Sequence, residues 1–277
     1  MKFHFRGTIL LIFAMVVAVP AMAQFELPRP SPLGKVDQRV GMTDIQLEFY
    51  RPGVKNRVIW GELVPYGEVW RTGANNASTI SFSTDVRING QALAAGRYAI
   101  HTIPGETEWT IMFNSDWDKT GTAYDAEKDA LRIHVTPSVT AEPMERMTFE
   151  IPTLHDGGAI IQLRWEHLIV PFSVEVDVVN DAMKAIDAEL PKADRWQTFY
   201  QAANFAFEND LRLSDAETWV ARSVAMEESF FNLGLQARIL AKNGKEKEAL
   251  AVAQKAIRIG KEQNRDVSEL EEFVKGL

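Results

Sequence analysis

Between Arg57 and Asn76 the sequence places Arg57, Trp60, Tyr66, Trp70, Arg71, Asn75 and Asn76 within one loop-like stretch that also holds Gly61, Gly67 and Gly73. Stretches with neither strict alternation nor a helical period read as ordered loops, and ordered loops carrying aromatic and Arg side chains are where binding concentrates. Trp60, Tyr66 and Trp70 would form a platform for a sugar or peptide, with Arg57, Arg71, Asn75 and Asn76 supplying hydrogen bonds. Arg suits a planar, bidentate grip on a carboxylate. The same side chains would serve equally to cap the end of a sheet core, with Arg71 paired internally to Glu62 or Glu68.

A second candidate is acidic. Asp116, Asp118, Thr120 and Glu127, with Gly121, fit most of a calcium-loop spacing. An EF-hand needs a helix on each side, whereas both flanks here alternate like strands, so a solvated acidic loop is the expected reading. Histidines 101, 134, 155 and 167 show no metal-ligand spacing, although His134 on the polar face of its strand could meet another across a sheet and bind zinc. There is no Gly-x-Ser-x-Gly elbow, His-Glu-x-x-His, phosphate loop or Cys nucleophile. Carboxylate pairs remain open, since their separation in glycoside hydrolysis is spatial rather than sequential.

The elements that must position these residues can be read outward from them. Ile45–Tyr50 alternates apolar and polar residues, as do Ile80 and Phe82 against Thr79, Ser81 and Ser83, and Leu131, Ile133 and Val135 against Arg132, His134 and Thr136. Asn89-Gly90 is a two-residue hairpin signal, and Gly96–Ile103 and Glu108–Asn114 read as a pair around Pro104-Gly105. Further strands are expected at Met147–Ile151, Ile160–Trp165 and Phe172–Val178. Many short strands between turn signals imply an antiparallel sandwich or barrel.

From Asn180 the pattern turns helical. Asp215–Val224 and Glu248–Ile257 superimpose at an offset of 33 residues, matching Ala216 to Ala249, Val220 to Ala253 and Ser223 to Ala256. That spacing, with Gly244 between two helical segments, resembles tetratricopeptide repeats. Two units bury little on their own, so this part is expected to lean on the sheets or on a partner.

The ends and composition narrow the class. Lys2 and Arg6 before the apolar run Ile9–Val19 and the Ala21-Met22-Ala23 pattern describe a secretory signal peptide over 1–23, followed by a Pro-rich tether at 24–34. The expected destination is periplasmic or secreted. The absence of cysteine leaves packing as the source of stability, and a formal net charge of −8 argues against nucleic acid or an anionic membrane as partner.

The residues Arg57, Trp60-Gly61, Val64-Pro65-Tyr66-Gly67, Val69-Trp70-Arg71-Thr72-Gly73-Ala74-Asn75, Ala95-Gly96, Tyr98, Thr102-Ile103-Pro104 and Trp109-Thr110 resemble the bacterial domain-of-unknown-function family 2911. The resemblance runs from about Ser31 to about Val178. It implies an exported bacterial protein with a β-rich domain, often followed by helices, and lends no catalytic residues. The expected molecule is therefore segregated α+β: a β-sandwich or barrel over 35–179 and tetratricopeptide-like helices over 180–277. It is expected to be a binding module for a small polar, saccharide or peptide ligand, with a protein or peptide partner on the helices and no cofactor. The rival is an exported hydrolase using carboxylates or a histidine-bound metal.

Overall fold

A computed structural model gives the fold of residues 28–119 and 123–277. The expected signal peptide, residues 24–27 of the tether, and Thr120 and Gly121 of the acidic loop lie outside the described residues. The strands are β1 (Leu33–Val40), β2 (Thr43–Tyr50), β3 (Ser78–Phe82), β4 (Val86–Ile88), β5 (Gln91–Leu93), β6 (Gly96–Ile103), β7 (Trp109–Asn114), β8 (Asp129–Val135), β9 (Ser138–His155) and β10 (Gly158–Val176). They form two antiparallel sheets, β1-β2-β3-β6-β7-β8 and β5-β4-β10-β9. Neither sheet closes on itself, and the core lies between them, so the β part is a sandwich. Ile45, Leu47 and Phe49 of β2 are buried in the same core as Ile161, Leu163 and Trp165 of β10. Asn89 and Gly90 both have positive φ, 47° and 77°, as the tight β4–β5 turn requires.

Three sequence expectations change. β1 forms at Leu33–Val40, inside the end of the expected tether and beyond it. It pairs residue by residue with β2, and its burial alternates, but the inward positions include Gly34 and Gln38 and an outward one is Leu33, so no clean apolar alternation marks it in the sequence. The expected strands Ile160–Trp165 and Phe172–Val178 are one strand, β10, and Val178 begins a helix. Pro171 does not break β10, because pairing with β9 ends at Ile169 and pairing with β4 starts at Val174, so no ladder bond needs its missing N–H. Met147–Ile151 is likewise the middle of the long edge strand β9.

Six helices follow: α1 (Val178–Glu189), α2 (Trp196–Glu208), α3 (Leu213–Met226), α4 (Phe230–Lys242), α5 (Glu246–Glu262) and α6 (Ser268–Lys275). Asp177 caps α1 by accepting the Asn180 N–H, at 3.0 Å. α2 with α3 and α4 with α5 make two hairpins, and α6 packs against α5. The six positions matched at the 33-residue offset are all buried, at 0 % exposure. Small residues there let helix backbones approach closely. Ser223 and Asn232 tie the hairpins together: Asn232 Nδ2 donates to Ser223 Oγ (3.1 Å) and to Glu227 O (2.7 Å), while Ser223 Oγ donates to Trp196 O (2.9 Å). The main contacts of α2–α6 are with one another, so the helices form cores of their own instead of leaning on the sheets. Among the described residues no helix is long and apolar enough to cross a membrane.

Candidate functional site

The Arg57–Asn76 loop is pinned to the end of the six-stranded sheet. Trp70 exchanges backbone hydrogen bonds with Thr102 of β6 (2.7 and 2.9 Å), and Gly67 N donates to Pro104 O at 2.8 Å. Thr72 sits at φ 55°, rare for a β-branched residue, and is held there by Thr102 Oγ1 (3.1 Å) and by Ser78 Oγ donating to its carbonyl. Gly73 at φ 144° passes so close that an added Cβ would lie 3.1 Å from Tyr50 O.

This pinning turns two aromatic rings inward. Trp60 and Trp70 join the buried Trp109 and Trp165 in a four-indole cluster with centroid separations of 5.0 to 6.4 Å. Trp70 and Trp165 stack at 19°, and the remaining contacts are edge-to-face. Such pairs add roughly 0.5–1.5 kcal/mol each beyond burial. Trp60 and Trp70 thus cap the core, while Tyr66 is exposed. The polar members do not converge. Arg57 donates to Val54 O (3.0 Å) and Gly53 O (2.5 Å), and Asn75 reaches Ser31 O at 3.5 Å. Asn76 is exposed. Arg71 makes no ion pair with Glu62 or Glu68 among the described residues, and its buried Nε has no hydrogen-bond partner.

The acidic loop lies between β7 and β8, as expected from its strand-like flanks. Asp116 pairs with Lys119 at 2.5 Å, and among the described residues no three His, Asp or Glu side chains gather as a metal ion requires. The histidines are dispersed. His134 faces Glu108 at 3.3 Å, His167 meets Thr140 O at 2.9 Å, His155 ends β9, and His101 is buried.

The titratable cluster that sequence reasoning missed is on the outer face of the six-stranded sheet. Lys35, Glu48, Thr79, Ala99, Asn114 and Asp129 lie in one row crossing all six strands. Lys35 and Arg97 both bond Glu48, which holds its carboxyl below the usual range, and Arg97 lies under the Trp117 ring at 4.6 Å. Further along, Asp129 accepts from Tyr124 Oη (2.6 Å), Arg132 Nε (2.6 Å) and Asn114 Nδ2 (2.8 Å). Burial, then the Asp129 contact, pushes the Tyr124 hydroxyl up to about 12. Its ring leans on His101 at 4.9 Å, and neither His101 nitrogen has a hydrogen-bond partner among the described residues. Burial holds His101 below its ordinary pKa, partly opposed by Asp129. The alternation of β6, with Tyr98 and Ile100 inward, was the signal that places Arg97 and His101 together outside.

A groove of about 450 Å³ opens on the helices between α2, α4 and α6. Tyr200, Asn204 and Phe207 of α2 face Phe231, Gly234 and Arg238 of α4 across it. Phe231 is 44 % exposed. At Gly234 an added Cβ would meet only Leu270 Cδ2, at 3.9 Å, so the floor is open.

Sheets, loop and groove together define a segregated α+β protein: an antiparallel β-sandwich with a capped aromatic core, followed by grooved helical hairpins. The chain belongs to the family described as "Protein of unknown function (DUF2911)", whose model matches residues 31–174 and so covers the sandwich. No curated protein matches the chain, and no solved structure does.

Proposed function

We propose that the protein is an exported, non-catalytic binding module that holds a peptide segment of a partner protein in the α2–α4–α6 groove. The observation carrying this reading is the pairing of an exposed Phe231 ring with half-buried Tyr200 and Phe207 across an open floor at Gly234. Exposed aromatic rings beside a concave floor are the usual anchors of peptide recognition. Asn204 lines the groove and makes no side-chain hydrogen bond among the described residues, leaving its amide for a peptide backbone. Among the lining residues Glu208, Asp266 and Glu269 outnumber Arg238, which favours a peptide carrying Lys or Arg beside an apolar side chain, with Arg265 and Lys242 lying over the Phe231 and Phe207 rings at 4.6 and 5.2 Å. The 33-residue hairpin repeat resembles tetratricopeptide repeats and supports the same reading. The composition of residues 1–23 supports export. A ligand site at the Arg57–Asn76 loop has less support, because Arg57 and Asn75 are engaged with backbone carbonyls and two of the three aromatic rings serve the core.

The test is fluorescence anisotropy with labelled peptides in which one apolar residue is flanked by Lys or by Glu. Parent protein should bind the Lys-flanked set saturably, and Gly234→Leu, which fills the floor, should lose that binding. Equal binding by Gly234→Leu, or preference for the Glu-flanked set, overturns the groove assignment. Turnover of a glycan or peptide panel overturns the non-catalytic reading.

A further inference from the structure

A second cleft, of about 720 Å³, lies where the sandwich hands over to α1, bounded by the β4–β5 hairpin, the β9–β10 turn and the start of the helix. We propose that it is a binding site for a small organic polyamine. Five carboxylates line it: Asp85, Asp156, Glu175, Asp177 and Asp181. Two basic residues, Arg87 and Lys184, stand among them, and although Lys184 forms an ion pair with Asp181, acids outnumber bases five to two. Arg87 Nη1 is turned to Gly90 O at 3.1 Å, and Lys184 is 61 % exposed with its Nζ 3.6 Å from Asp181 Oδ1, too long for a hydrogen bond.

Asp181 points to a ligand more directly than the charge does. It is only 8 % exposed, and its buried Oδ2 has no hydrogen-bond partner among the described residues. Leaving a buried carboxylate oxygen without a donor is unfavourable, and an incoming N–H would relieve it. Asp181 stands in the first turn of α1.

The kind of cation follows from spacing and from what lies between the charges. No three carboxylates or imidazoles among the described residues gather as a metal ion needs, so the negative charge is spread along the cleft. Val86, Val176, Val178 and Val179 line the same cleft between the acids. Alternating carboxylates and apolar walls match ammonium groups separated by methylene chains. The volume is also within the range of about 300–1,000 Å³ typical of small-molecule sites.

The experiment is isothermal titration of the full chain with spermidine at about 0.15 M salt, where exposed charges are largely screened. Magnesium chloride is the inorganic control. One-site saturable binding is expected, weakened roughly tenfold to a hundredfold in Asp181→Asn, in line with the loss of a charged hydrogen bond. Glu175→Gln, at an exposed position of β10 whose side chain makes no hydrogen bond among the described residues, should weaken it by a smaller factor. Gly234→Leu should leave it unchanged, so this site and the helical groove stand or fall separately. Absence of saturable heat, or equal affinity in Asp181→Asn, overturns the proposal. So does competition by magnesium at equal concentration, which would make the effect one of general charge screening. Should Asp181→Asn melt well below the parent, Lys184→Ala decides. Removing the competing ammonium should tighten spermidine binding, and unchanged or weaker binding overturns the site.

Discussion

His101 shows what a single buried side chain imposes on the molecule. It is 3 % exposed, unbonded at both nitrogens among the described residues, and covered by Tyr124 above the Asp129–Arg132 pair. Its folded pKa lies below the ordinary 6.5 because burial penalises the imidazolium. Between the folded and unfolded values the unfolded chain binds more protons, so this contribution to stability is complete above about 6.5 and drains as pH falls toward the folded value. The melting temperature of the parent should therefore fall more between about pH 7.5 and about pH 5.5 than that of His101→Gln. Equal falls would assign the acid sensitivity elsewhere. At this scale residue types were legible but their directions were not. Trp60 and Trp70 were visible as a pair of loop aromatics, yet their turn into the core depends on Trp70 bonding Thr102, 32 positions away in the chain. His101 carried a visible alternation signal, but the Tyr124 ring that covers it arrives from a loop with no period to read.

Among elements, the loop over the sheet end is held by glycines that differ in what they must avoid. Gly73 has φ 144° and an added Cβ would crowd Tyr50 O, whereas Gly67 has φ 76° with nothing within 4 Å. Gly67→Ala should cost about 1 kcal/mol for backbone strain alone, and Gly73→Ala on the order of 1–3 kcal/mol for strain plus the clash. Denaturant melts of the two variants check this, and equal losses would show that close approach is irrelevant. The strands that sequence patterning located were those whose inner face is fully buried, such as β2, β6 and β7. β10 was read as two strands because its register shifts near Ile160 and Glu166, the latter at φ 53°, reset the two-residue alternation. The α3–α5 repeat was legible because its buried positions demand small residues at fixed spacing, whereas α2 and α4 spend their faces on differing aromatic residues along the groove.

For the whole molecule, the division of the cores matters most. One core fills the sandwich, and separate ones fill the hairpins, with α1 carrying the chain between them. Scanning calorimetry should resolve two transitions, since cooperativity follows shared buried contacts. A single transition with equal calorimetric and van't Hoff enthalpies would mean that α1 couples the parts tightly. The segregation itself was legible, because apolar periodicity changes near Asn180, but the separation of the helical cores from the sheet core was not, since it rests on which faces meet. The four-indole cluster gives this division an optical signature. Four of the seven tryptophans sit within 6.4 Å of a neighbour inside the sandwich, while Trp117 lies on its surface and Trp196 and Trp219 belong to the helices. The close packing of these four rings is expected to couple their transitions into a near-ultraviolet circular-dichroism band. That band vanishes when the sheets part and is silent when only the hairpins melt, so the chain carries a built-in chromophore that reports on one half of itself.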